Sequence, residues 1–101
     1  MKFYIAGKIT NLDNYKEEFE KAETYLRERG HSTMNPARMT DGFTHEEYMK
    51  VCYSMIDVCE MVYFLSNWKD SKGAVMECEY AIKQGKEIVF EDQHNNMKDK
   101  R

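Results

Sequence analysis

At 101 residues, 42% of them hydrophobic and 33% charged, the chain suits one folded domain and excludes both a disordered segment and a two-domain protein. A net charge of -3 and an isoelectric point near 5.6 argue against a nucleic-acid polymer as partner, which would need a basic face. No apolar run approaches the roughly 20 residues of a membrane span, and three cysteines without a CxxC pair fit neither a disulfide scaffold nor a structural zinc site.

The chain begins with a β-rich run over 2–6 that ends at Gly7, which reads as a buried strand and a turn rather than a signal peptide. From 13 to 29 the period becomes helical: Phe19, Ala22, Tyr25 and Leu26 recur at three- and four-residue spacing, while Glu17, Glu18, Glu20 and Lys21 face water. Gly30, after a basic last turn, stops that helix, and a short strand over 31–34 follows. The longest loop, 35–44, holds the single proline, Pro36. Thr44 and Glu47 then form a capping-box signature that opens a second helix running to about Val58. Its expected buried stripe is Tyr48, Val51, Cys52, Met55 and Val58 or Cys59.

The run 61–65 is almost wholly apolar, as expected of a central parallel strand covered on both faces. A polar loop containing Trp68 leads into a third helix over 71–84, and Gly85 precedes a fourth strand over 87–90. A domain over 1–91 followed by a polar tail over 92–101 is expected. The order β-α-β-α-β-α-β predicts an α/β fold with a four-stranded parallel sheet and helices on both faces. In such sheets ligands bind beyond the carboxyl ends of the strands, which singles out the loops 7–12, 35–44 and 66–73.

Chemistry concentrates around the third helix. Ser71 or Asp70 can cap it, Gly73 lets a ligand approach its first turn, and the free N–H groups there suit an anion. Glu77 shares its stripe with Ala74, Cys78 and Ala81, the face that packs inward, whereas Glu79 belongs to the wet face. A carboxylate on an inward face costs several kcal/mol unless it is paired, hydrogen-bonded or opens onto a pocket, and position alone equally allows Glu77 the edge of the stripe and contact with solvent. The first loop, Gly7-Lys8-Ile9-Thr10, offers backbone donors but fails as a P-loop, and no G-x-G-x-x-G occurs. Tyr4 lies mid-strand with a hydroxyl able to reach a carboxylate at the strand ends, and Trp68 is placed either to stack on a base or to pack. His31, His45 and His94 show no ligand or triad spacing.

Together Tyr4-Ile-Ala-Gly7-Lys8-Ile9, Asn35-Pro36-Ala37 and Trp68-x-x-Ser71-x-Gly73-Ala74-x-x-Glu77-x-x-x-Ala81 resemble the nucleoside 2-deoxyribosyltransferase-like superfamily, and within it a short branch common in phages and bacteria. The resemblance implies a Rossmann-like (flavodoxin-like) sheet, a homodimer or larger assembly, and a cytoplasmic enzyme needing neither metal nor organic cofactor. It implies that Glu77 attacks the anomeric carbon of a nucleoside or nucleotide, oriented by Tyr4. Ser71, Gly73 and the segment Gly7, Lys8, Ile9 and Thr10 would bind substrate, with Asn35 and Trp68 also at the site. Serine at position 71, where transferases on unphosphorylated nucleosides carry aspartate, points to a nucleotide and to hydrolysis. One departure stands out: the family places an aspartate in the helix before the third strand to assist the leaving base, and the stretch Val51-Cys52-Tyr53 has no carboxylate. A non-catalytic module that sequesters a nucleotide is the alternative.

Overall fold

The computed structural model describes residues 1–92. Four strands, β1 (Lys2–Ala6), β2 (Ser32–Met34), β3 (Met61–Phe64) and β4 (Glu87–Phe90), alternate with three helices, α1 (Tyr15–Glu28), α2 (His45–Asp57) and α3 (Lys72–Lys83). The strands form one all-parallel sheet in the order β2-β1-β3-β4, in register Tyr4 beside Met34 and Val62, and Phe64 beside Phe90. The fold is therefore the α/β, flavodoxin-like arrangement expected. Of the polar tail expected over 92–101, all but Asp92, including His94, lies outside the described residues. Among the described residues no helix is long and apolar enough to cross a membrane.

Side chains alternate strictly along the two central strands, as the pleat requires. Phe3, Ile5, Tyr63 and Leu65 pack under α1 against Phe19, Ala22 and Leu26. Tyr4, Ala6, Val62 and Phe64 face the other way, against Cys52, Ile56 and Cys59 of the α2 segment and Cys78 and Ala81 of α3. Each face of the sheet is thus sealed by its own apolar layer, which is why 61–65 reads as a continuous apolar run.

Three local findings refine the sequence reading. Short 3-10 turns at Pro36–Arg38 and Trp68–Asp70 occupy parts of the predicted loops. The first helix starts at Tyr15, later than the predicted 13, because the chain turns through Asn11 at φ 61°. The buried stripe of α2 is Met49, Cys52 and Ile56, flanked by half-buried Tyr48 and Met55. Val51 and Val58 are 41% and 56% exposed. Both sit about 100° or more round the helix from Cys52, outside the arc that meets the sheet.

β1 and β3 are neighbours, yet their chains leave in opposite directions, β1 toward β2 and β3 toward β4. This reversal opens a crevice at the carboxyl end of the sheet, the usual ligand position in such folds. Gly7 lets the first loop pass tightly over the core at the edge of this crevice: a Cβ there would lie 2.7 Å from Leu65 Cδ1 and 3.0 Å from Leu65 Cβ, closer than side chains ordinarily pack.

Candidate functional site

The crevice is a cavity of about 350 Å³, inside the range of roughly 300–1,000 Å³ typical of small-molecule sites. Its walls come from all three strand-end loops selected by the sequence. Gly7, Ile9 and Thr10 line it from the first, with Tyr15 from α1. Pro36, Ala37 and residues 39–43 line it from the second, with His45, Tyr48 and Met49 from the start of α2. Ser71, Gly73, Ala74 and Glu77 complete it from the third loop and α3.

The first turns of two helices meet here. Thr44 and Glu47 form the anticipated capping box, with Thr44 Oγ1 accepting from Glu47 N at 3.1 Å and Glu47 Oε1 accepting from Thr44 N at 2.8 Å. Ser71 caps α3, its Oγ accepting from Ala74 N at 3.1 Å. The Lys8 backbone N–H donates to Asn67 Oδ1 at 3.0 Å and ties the first loop to the third. A Cβ on Gly73 would stand 3.8 Å from His45 Cε1 and 3.9 Å from Ser71 Oγ, so these three groups share one corner.

Glu77 forms the floor. It is 4% exposed, one of two buried carboxylates among the described residues, and sits on the Ala74/Cys78/Ala81 stripe. The fully buried Tyr4 hydroxyl donates to Glu77 Oε2, and the Cys52 thiol beside it favours the charged carboxylate in the same sense. Burial pushes the Glu77 carboxyl up to about 7, against these two neighbours, which favour the charged form. The same burial pushes the Cys52 thiol up to about 12 and Tyr4 well above the usual phenol range, so both remain protonated.

The second buried carboxylate, Glu23, is built differently. It accepts from Thr33 Oγ1 at 2.6 Å and Asn35 Nδ2 at 3.4 Å, and forms ion pairs with Arg38 and, at 3.7 Å, Arg27. Two cations neutralise it and no part of it lines the Glu77 cavity. Its work is structural: it anchors the residues on either side of Pro36-Ala37 and so holds the second wall in place.

Of the residues marked in the sequence, the cavity gathers Gly7, Ile9, Thr10, Ser71, Gly73 and Glu77, with Tyr4 directly beneath. Lys8, Asn35 and Trp68 do not line it. Asn35 Oδ1 caps the following turn by accepting from Ala37 N at 2.9 Å while its amide donates to Glu23, so both ends of the side chain are engaged. Trp68 packs on Phe64 and Phe90, with ring centroids 5.2 and 5.5 Å away. Residues not singled out by spacing also line the cavity: His45, Asp41, Phe43, Met49 and Tyr48. The position of the 35–44 loop at a strand's carboxyl end was the available signal for Asp41 and Phe43. Tyr48 carried only the signature of a core stripe, and Met49 lay outside the stripe expected.

Among the described residues, no group of three or more His, Cys, Asp or Glu is arranged to hold a metal ion.

Solved structures share this architecture. A 2-desoxiribosyltransferase from Leishmania mexicana superposes with a TM-score of 0.70 at 17% identity, covering 88% of this chain and 62% of that one. A CMP N-glycosidase, BcmB, from Clostridium botulinum gives 0.68 at 20% identity, covering 89% and 70%. A 2-deoxyribosyltransferase from Bacillus psychrosaccharolyticus gives 0.71 at 22% identity, covering 89% and 71%. This chain thus spans only about three-fifths of the length of the Leishmania protein. No curated protein sequence matches it. A family model does match, over residues 1–90, and with that near-complete coverage the chain belongs to DUF4406, a family of domains of unknown function.

Proposed function

We propose that this protein cleaves the N-glycosidic bond of a nucleoside 5′-monophosphate or its 2′-deoxy form, with Glu77 as nucleophile. One observation carries the reading: Glu77 is a buried carboxylate with no cation beside it among the described residues, held by neutral donors and open to a cavity of ligand size. A carboxylate kept at that energetic cost without a counter-ion marks a site built for chemistry rather than for stability. The activities named for the structural neighbours, deoxyribosyl transfer and CMP N-glycoside cleavage, are both reactions at that bond type.

In this reading the α3 N-terminus, Ser71 and the backbone of the first loop hold the 5′-phosphate, since exposed N–H groups and the positive dipole end suit an anion. The sugar then lies over Glu77. Its carboxylate attacks C1′, the base departs with the bonding electron pair, and a glycosyl ester forms on Glu77. Water resolves the ester in a hydrolase and a second base does so in a transferase, the retaining course that divides one hard step into two. No step calls for a metal or an organic cofactor. A homodimer or larger assembly is part of the proposal, with Phe43, Val51, Val58 and Ile82 as its exposed apolar surface.

The test is incubation with a panel of nucleoside and deoxynucleoside 5′-monophosphates and free nucleosides, followed by chromatography for released base. Release that disappears in Glu77→Ala is the expected result and names the substrate. Release that persists in Glu77→Ala would overturn the role of Glu77. Binding without release across the panel would instead favour a nucleotide-sequestering module. That second reading draws on one observation: among the described residues the only other carboxylate lining the cavity, Asp41, sits exposed at its rim.

A further inference from the structure

Attack by Glu77 accounts for one side of the C1′–N bond; the departing base on the other side must be met by a proton or a hydrogen bond. We infer that Tyr48 is that group, a catalytic residue that donates its hydroxyl hydrogen to the departing base and takes a proton back from the attacking water. The assignment rests on the N-glycosidic reading of the site.

The geometry begins with helix spacing. Tyr48 and Cys52 are four residues apart and therefore share one face of α2. Cys52 is fully buried beside Tyr4 at the sheet, while Tyr48, one turn nearer the helix start, is half-buried and lines the cavity with Glu77. Cys52 stands between them: its sulfur acts electrostatically on both Tyr48 and Glu77, and Tyr4 donates to Glu77 from below. Tyr48 thus faces the same cavity as Glu77, within its electrostatic reach, at the boundary between protein and cavity. Two other polar cavity groups are placed less well: Asp41 is on the exposed rim, and His45 stands beside Gly73 and Ser71, the corner assigned to the phosphate.

The electrostatics change in the direction the step requires. Burial, the nearby Cys52 sulfur and the charge of Glu77 all hold the Tyr48 phenol well above its ordinary range, so it stays protonated in the resting site. When Glu77 becomes an ester its charge is gone, and with it one of the terms opposing a phenolate. Tyr48 is therefore a stronger acid after C1′ has been attacked than before.

The proton balance closes over the two steps. In the first, a C1′–O bond to Glu77 forms, the C1′–N bond breaks with its electron pair on nitrogen, and the Tyr48 proton passes to that nitrogen. In the second, water adds to C1′, its proton goes to the Tyr48 oxygen, and the Glu77 carboxylate is released.

The experiment compares wild type with Tyr48→Phe on the nucleotide that wild type cleaves and on versions of it with ring-halogenated, more acidic bases. A positioned general acid contributes about 10²- to 10⁴-fold, so the variant should lose at least about 10²-fold in kcat on the unmodified base. That deficit should shrink below about tenfold on the most acidic base, with KM little changed. Loss of the hydroxyl alone leaves the ring packing intact, and an unchanged melting curve verifies a folded site. An equal loss on every base, or no loss, overturns the assignment. So does transfer of the base-dependent loss to His45→Gln or Asp41→Asn. Absence of base release by wild type would instead strike the N-glycosidic reading itself, so the two failures are distinguishable.

Discussion

Replacing Glu77 with glutamine should stabilise the protein at alkaline pH, the reverse of what truncating a structural group does. The native carboxyl titrates near 7 against an ordinary 4.5, because burial disfavours its charged form. The native state therefore binds this proton more tightly than the unfolded chain does. The stability this confers is complete below pH 4.5 and is lost as pH rises through 7. Integrated over that window, the loss is about 3 kcal/mol. The Glu77→Gln side chain keeps an acceptor for the Tyr4 hydroxyl but carries an NH₂ that needs a partner, a penalty of about 1–3 kcal/mol that does not vary with pH. The telling quantity is accordingly the difference in Tm between variant and wild type, measured at pH 5 and at pH 8. All other titrating groups cancel in that comparison. At about 4–8 °C per kcal/mol for a domain of this size, the difference should move in favour of the variant by on the order of 10 °C between the two pH values. A difference independent of pH would refute the claim that Glu77 carries a buried, unneutralised charge in the native protein.

Other perturbations test separate parts of the structure. If Glu77 is the nucleophile, base release should rise through pH 7 to a plateau; Tyr4→Phe removes a donor to the charged form and should move that acidic limb upward while lowering the plateau, as read from a pH–rate profile. Gly7→Ala places a Cβ 2.7 Å from Leu65 Cδ1 and should destabilise the fold by about 1–3 kcal/mol in urea titration, with Leu65→Ala as partial rescue. Glu23→Ala strips Thr33, Asn35 and Arg38 of a shared acceptor and should cost about 1–3 kcal/mol. Its further signature is faster hydrogen exchange at Ala37, whose amide depends on the Asn35 cap.

The sheet and helices were legible because their signals are local: alternating or continuous apolar runs, a capping box, glycines after the helices. The three loops of the cavity were legible too, since strand order and the position of carboxyl ends follow from the alternation of elements. What the sequence hid was the direction of individual side chains. Asn35 and Trp68 sit in the correct loops, yet one faces Glu23 and the other Phe64 and Phe90. Tyr48 lies on the inward arc of α2, and nothing in a helical period separates a residue that meets the sheet from one a turn earlier that meets a cavity. That distinction depends on where α2 ends relative to the sheet, a tertiary fact.

The two buried glutamates show how far a positional argument reaches. Glu77 drew attention because it falls on the stripe of Ala74, Cys78 and Ala81, and the same logic applies to Glu23, adjacent to Ala22 between Phe19 and Leu26. Both are as buried as the apolar residues around them, at 2% and 4% exposure. Burial alone therefore cannot separate a neutralised carboxylate from one that faces a cavity without a cation; the surroundings do. Glu23 has two arginines and two neutral donors, a fully compensated charge whose loss would loosen a loop. Glu77 has a phenol, a thiol and an open cavity, so its charge remains available to whatever enters. The arginines that neutralise Glu23 come from Arg27 on its own helix and Arg38 beyond β2, and only the first is visible at i,i+4 spacing. A sequence rule that asks whether an inward carboxylate has a cation one turn away would have sorted the pair correctly, for Glu77 has Tyr80 and Ala81 at those positions and Gly73 and Ala74 on the turn before.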